Sequence, residues 1–113
     1  MPDKTSEKLS RLDHQIRQLQ RALARLGPMR PGTLSRQYRD PRRRRGAYSQ
    51  LSYTYRMKSR TEYVRPDDLA RVRSEITTFK RFKRLTARWI ALALQRSRLQ
   101  RTPVRSSSAR GES

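Results

Sequence analysis

Between Ala47 and Pro66 the chain reads Ala-Tyr-Ser-Gln-Leu-Ser-Tyr-Thr-Tyr-Arg-Met-Lys-Ser-Arg-Thr-Glu-Tyr-Val-Arg-Pro. A period of two held over this length commits the stretch to β-structure. Leu51, Tyr53, Tyr55 and Met57 share one face, and Ser52, Thr54 and Arg56 share the other. A second run, Arg60 to Val64, is rich in β-branched and aromatic residues and stops at Pro66, which has no ladder donor. The tip lacks the Asn-Gly or Gly-X pair of a two-residue turn. The sequence therefore favours a three-residue connection, Met57-Lys58-Ser59, which sets Tyr63 opposite Tyr53 on one face. An isolated hairpin is marginal in water, so its tyrosine face needs a cover from elsewhere in the chain.

Two helices flank the hairpin and can supply that cover. Over residues 5–26, Leu9, Leu12, Ile16, Leu19, Leu23 and Leu26 recur at alternating spacings of three and four, the rhythm of a coiled-coil seam. Asp3 or Thr5 can cap its start, and Gly27-Pro28 ends it. The seam packs on another helix of this chain or pairs with a second copy. From Pro28 to Gly46 the sequence is turn-rich and basic and reads mostly as loop, with Leu34 and Tyr38 spaced for one short helical turn. Pro66 suits the first position of a second helix, and Asp67 and Asp68 complement its positive end. Its stripe runs through Leu69, Val72, Ile76 and Phe79, shifts phase near Phe82, and continues through Leu85 or Thr86, Trp89, Leu92 and Leu99. Nothing breaks it before Pro103, after which residues 103–113 have the composition of a disordered tail. The fold class expected is α+β, mostly α: an antiparallel pair of long helices flanking a basic loop and a two-stranded hairpin, with residues 1–102 as a single domain.

Charge bounds what such a chain can do. Twenty-nine Lys and Arg stand against nine Asp and Glu in 113 residues, a formal charge of +20, and only 33% of residues are apolar, so the core is thin. A chain of this kind repels itself and favours a polyanionic partner. The excess sits on the hairpin, its lead-in and the second helix. No cysteine is present, which excludes disulfides and thiolate metal sites. The N-terminus lacks the apolar stretch of a signal peptide, and the longest apolar run, Trp89 to Leu94, is too short to span a bilayer. The expectation is a chain with no membrane contact, cytoplasmic and, as a DNA binder, nucleoid-associated.

The hairpin also carries a resemblance. Gly46-Ala47-Tyr48 followed by Leu51-Ser52-Tyr53, then Lys58-Ser59-Arg60-Thr61 and Tyr63-Val64 with Pro66, resembles an uncharacterised prokaryotic domain family. In that family a leucine helix leads to a Gly-x-Leu…Tyr segment, here Gly32, Leu34 and Tyr38. A Gly-Pro-Tyr-x-x-Leu-Ser strand, a Lys-x-Arg-Thr-x-Tyr-Val-Pro strand and a long C-terminal helix follow. The likeness covers roughly residues 9 to 100 and implies architecture, not activity. Where relatives carry a cysteine-rich patch this chain has Asp40-Pro41 and four arginines, so the metal-supported loop that the family implies cannot form here. Arg65 is an extra residue between Val64 and Pro66.

Catalysis requires convergent polar groups of tuned pKa, and the chain offers one histidine, His14, no cysteine and few acids. His14 reads as a solvent-facing helix residue, and the acids form no carboxylate cage for a metal. No enzyme activity, metal or cofactor is expected. Arg42, Arg43, Arg44 and Arg45 can neutralise phosphates; Arg56, Lys58 and Arg60 extend that charge onto the hairpin tip, and the two groups are expected to converge. Tyr48 is the candidate free aromatic for base stacking, and Tyr53 and Tyr63 are expected to pack in the core. Lys80, Arg84 and Arg88 recur at intervals of four along the second helix and offer a backbone-tracking stripe. The leading expectation is a nonenzymatic nucleic-acid-binding accessory protein, DNA ahead of RNA, because a two-stranded ribbon fits the major groove. The competing one is a protein-interaction subunit that binds an acidic partner through its leucine seams. The apolar end at Trp89, Ile90, Leu92 and Leu94 marks a homodimer or protein-partner contact in either case.

Overall fold

A computed structural model describes residues 4–101 of the chain. It contains two helices and one antiparallel sheet, in the order α1 (Lys4–Ala24), β1 (Thr33–Asp40), β2 (Arg45–Tyr55), β3 (Lys58–Val64) and α2 (Leu69–Gln100), with a 3₁₀ turn at Pro66–Asp68. The mostly helical α+β class is as the sequence suggests. Two compact units make it up: residues 22–85 hold the sheet and the first part of α2, and residues up to 21 with those from 86 onward hold α1 and the rest of α2. The tail expected over residues 103–113, and Asp3 as a cap, lie outside the described residues. Thr5 is already inside α1 and does not cap it.

In the sheet unit the strand order is β1-β2-β3, so the sheet has three strands rather than two. Residues 33–40 are neither loop nor helical turn. Leu34 pairs with Leu51 and Tyr38 with Ala47, which places Leu34, Arg36 and Tyr38 on the side of β2 that bears Leu51. Leu34 is one of only two large apolar residues in this strand. Its β-structure is dictated by the free edge of β2 more than by its own pattern.

The β2–β3 connection is one residue shorter than expected, and the register is displaced by three residues, since Tyr53 faces Arg60 rather than Tyr63. Tyr55 pairs with Lys58, Tyr53 with Arg60, Gln50 with Tyr63 and Ser49 with Val64. The loop is therefore Arg56-Met57, with both residues at positive φ (52° and 65°), as a type I′ turn requires. A displacement by an odd number of residues exchanges the faces of a whole strand. The three-residue loop would turn Tyr63 inward beside Leu51 and Val64 outward; the observed register does the reverse. Left-handed backbone costs about 1–2 kcal/mol at each non-glycine residue. Against this stands about 1.5–3 kcal/mol for burying a side chain such as Val64, together with the exposure of the Tyr63 hydroxyl to water.

The sheet packs through this face on the start of α2. Leu51, Val64, Val72 and Ile76 form the buried cluster, and Leu34, Tyr53 and Leu69 close around it. The approach to β1 is pinned by a backbone hydrogen bond from Arg30 N–H to the Glu75 carbonyl, 3.1 Å. Gly32 follows, at φ 149°, where a Cβ would meet Leu51 Cδ1 at 2.5 Å. Gly32→Ala combines that overlap with a backbone angle that L residues avoid. It is expected to destabilise the sheet unit by about 2 kcal/mol or more in urea unfolding followed by tyrosine circular dichroism.

The other unit is a helix pair. Among the described residues, Leu12 of α1 and Leu92 of α2 are its buried ones. Arg96 interrupts the apolar stripe of α2, one position of the seam after Leu92, and its guanidinium Nε bonds the Asp13 carboxylate, with Nη2 3.5 Å from the second oxygen. Gln100 accepts a further bond from Arg96 at 2.7 Å. A charged seam residue matched to one partner acts as a register device. The hydrogen bond from Arg96 holds the Asp13 carboxyl below the usual carboxylate range. A carboxyl whose pKa folding depresses contributes stability that is complete above its unfolded pKa, near 3.9, and is lost as pH falls through the folded value. The helix pair is accordingly expected to loosen only below about pH 4. Asp13→Asn should remove that acid step from the fluorescence titration of Trp89.

Candidate nucleic-acid interface

The sheet unit carries eighteen Lys and Arg against five Asp and Glu. Four of the acids already face arginines. Asp40 lies 4.0 Å from Arg43, Asp68 and Glu75 lie 3.6 and 3.2 Å from Arg71, and Glu62 lies 3.9 Å from Arg30. Exposed pairs of this kind add about 0–1 kcal/mol each to stability. Their effect here is electrostatic: the acids are occupied by a few arginines, and the remaining cations face solvent.

Those cations gather at two ends of the sheet. At the β1–β2 end, Asp40-Pro41 initiates the turn, and the Asp40 carboxylate accepts the Arg43 N–H at 3.4 Å. Arg44 adopts φ 51°, and Arg45 begins β2. At the β2–β3 end stand Arg56, Lys58 and Arg60, with the Arg56 guanidinium 5.3 Å over the Tyr55 ring. Met57 at the turn is 97% exposed. Between the two ends run the eleven residues of β2, about 33 Å at the usual rise. The arginine run and the hairpin tip therefore do not converge, because β2 separates the two turns by its whole length.

A different convergence takes its place. Along the core face α2 passes the β2–β3 end, where Arg60, Lys80 and Lys83 line a groove of about 590 Å³ together with Tyr53 and Phe79. Lys83 Nζ lies 5.8 Å from the Phe79 ring, and Phe79 stacks on Phe82 at 6.3 Å. Of the helix stripe, Lys80 and Arg84 belong to this unit and Arg88 to the helix pair. Sequence reading passed over Lys83. Its signal was present in the i, i+3 spacing from Lys80, but the phase shift near Phe82 hid which side of the helix meets the sheet.

The tyrosines also redistribute. Tyr53 is half-buried against the core, as expected; its hydroxyl donates to Glu62 Oε1 at 2.6 Å and Arg30 sits 4.8 Å over its ring. The hydrogen bond to the Glu62 carboxylate raises its pKa above the ordinary phenol value. Tyr63, expected in the core, is 59% exposed on the opposite face. There its ring lies 6.4 Å from that of half-buried Tyr48, tilted by 52°.

On the apolar end of α2, Leu92 is buried within the helix-pair unit and Trp89 is half-buried, so the chain itself covers half of the expected partner contact. Ile90 and Leu94 remain 61% and 52% exposed. His14 is exposed on α1. Among the described residues no cluster of His, Cys, Asp or Glu could hold a metal ion, and no helix is long and apolar enough to cross a membrane.

The fold and the surface together define an α+β chain, mostly helical, whose sheet unit is strongly cationic at both ends. Comparison with family models, curated proteins and solved structures finds no match to this chain.

Proposed function

We propose that this is a nonenzymatic nucleic-acid-binding accessory protein that holds the sugar-phosphate backbone at the cationic ends of its sheet. The observation that carries the reading is the groove in which Arg60 meets Lys80 and Lys83 across Tyr53 and Phe79, with Arg56 and Lys58 just beyond it. Cations drawn from two elements around aromatic walls suit a phosphate chain with attached bases. Arg42 to Arg45 supply a second contact at the far end. The third strand alters the argument for duplex DNA. Only the segment beyond the Thr33–Ser52 pair, Tyr53 to Arg60, is a two-stranded ribbon of major-groove width.

Fluorescence anisotropy with labelled DNA and RNA, single-stranded and duplex, tests the reading over a salt series. With about six phosphates engaged, log K should fall with log salt at a slope near −4 on single strands and −5 on duplex. Affinity no tighter than that of a scrambled peptide of equal charge would remove it.

Ile90 and Leu94, one helical turn apart and exposed, favour a second reading, an apolar contact with a protein partner or a second copy. Sedimentation in high salt addresses it. A concentration-dependent mass that Leu94→Gln abolishes is the supporting result, and a monomer at every concentration excludes the homodimer.

A further inference from the structure

The sheet has a second face that the core does not use. Alternation places Tyr48, Gln50, Ser52 and Thr54 of β2 there, opposite the Leu51 side, and Thr61 and Tyr63 of β3 beside them. Thr33, Ser52, Thr54, Thr61 and Tyr63 on this face are exposed. A sheet face of hydroxyls and amides needs no apolar cover, yet this one holds the Tyr48–Tyr63 pair at its centre.

Two arginines stand at one end of that pair. Arg39 lies on the same side of β1, between the Tyr38–Ala47 and Asp40–Arg45 pairs, and its Cβ and Cγ rest against Gly46. Arg65 is two residues beyond Tyr63 and still extended (φ −65°, ψ 147°), which puts it on the same side and beside Tyr48 by continuation of the register. Both arginines are exposed, and neither forms an ion pair among the described residues.

We propose that this face is a platform for single-stranded nucleic acid, with Tyr63 and Tyr48 stacking on unpaired bases and Arg39 and Arg65 holding the adjacent phosphates. The inference rests on the nucleic-acid reading above and adds the surface that meets the bases. Tyrosine rings on a sheet accept any base by its flat face, and that face is accessible only when the base is unpaired and splayed out. A duplex suits the surface poorly. Three strands set the outer backbones about 9.6 Å apart before side chains are added, whereas the major groove is about 12 Å wide and admits two. Charge complementarity selects the occupant: two cations stand at the Gly46 end of the aromatic pair, on the two outer strands' sides of β2, and no acid shares the face with it.

The test uses the full chain with an oligodeoxynucleotide of about 12 residues, its RNA counterpart and a blunt DNA duplex. Tyr63→Leu keeps apolar bulk without the ring. It should weaken single-strand binding about 5- to 100-fold, as loss of one stacked base does, with the salt slope unchanged because no phosphate contact is removed. Tyr63→Phe should bind like the parent. Arg39→Gln with Arg65→Gln should instead lower the slope by about 1.4, the value for two phosphates on a single strand. Duplex affinity should not respond to Tyr63→Leu. The DNA and RNA arms identify the sugar, and a loss in either supports the platform.

Single-strand binding by Tyr63→Leu and Tyr48→Leu at the parent's affinity would overturn the platform and leave a backbone-only binder. An equal loss on the duplex would overturn it too, as would a dimer of this chain that Tyr63→Leu dissociates. A parent that binds no nucleic acid removes the underlying reading as well.

Discussion

Glutamine at Arg56, Lys58, Arg60 and Lys80 together is expected to weaken oligonucleotide binding on the order of 100-fold near 0.1 M salt and to reduce the log–log salt slope by about 3. The size follows from counterion release. Each neutralised phosphate contributes about 0.7 to the slope on a single strand and about 0.9 on a duplex, so four contacts contribute about 3. None of the four side chains enters the cluster of Leu51, Val64, Val72 and Ile76. Their removal also lowers the self-repulsion of a chain at +20, so the melting temperature should not fall. The companion variant, glutamine at Arg42 to Arg45, isolates the other end. Because the two ends are separated by the length of β2, about 33 Å, their effects should add. An oligonucleotide too short to reach both ends should respond to only one variant. A slope unchanged in the four-residue variant would move the backbone contact away from the groove.

Much of the scaffold was legible because its residues had only one low-energy use. Pro66 with Asp67 and Asp68 could hardly open anything but a helix, and it opens the turn into α2. The phase shift near Phe82 is visible in the sequence, and it falls close to the boundary between the two units, after Leu85. What escaped was decided by pairing. Nothing within Thr33–Asp40 demands a strand; the demand comes from the unpaired groups along β2, which another strand satisfies. The β2–β3 register escaped for a related reason. Turn chemistry argued against two residues at the tip, since Arg56 and Met57 both pay for positive φ. The choice between Val64 and Tyr63 for the core lay in the shape of the helix surface at Val72 and Ile76, which local sequence does not report. Once the register moved, the candidate site moved with it: Tyr63 went outward, and a hairpin expected to stand as a two-stranded ribbon became part of a three-stranded sheet.

Leu51→Ala is expected to cost the sheet unit about 3–5 kcal/mol, at the upper part of the range for a buried leucine. Leu51 is 1% exposed, lies on the central strand and fills the space that a Cβ at Gly32 would need. Collapse around the cavity is restricted on each side, by the sheet ladder and by α2. A unit of this length whose buried cluster has four members commands a total stability of about 3 kcal/mol, at about 0.05 kcal/mol per residue, so the variant should be largely unfolded in that unit near 37 °C. Urea titration followed by tyrosine circular dichroism measures it; a midpoint close to the parent's would show that the core is organised elsewhere. The variant also separates shape from charge, because it keeps the full +20. A bare polycation still binds nucleic acid, weakly and with strong salt dependence. What Leu51→Ala should lose is the part of the affinity that requires Arg60, Lys80 and Lys83 in one groove and Tyr48 beside Tyr63 on one face. Its binding should therefore fall to the level of the scrambled peptide, with single strand and duplex no longer distinguished, while the salt dependence persists.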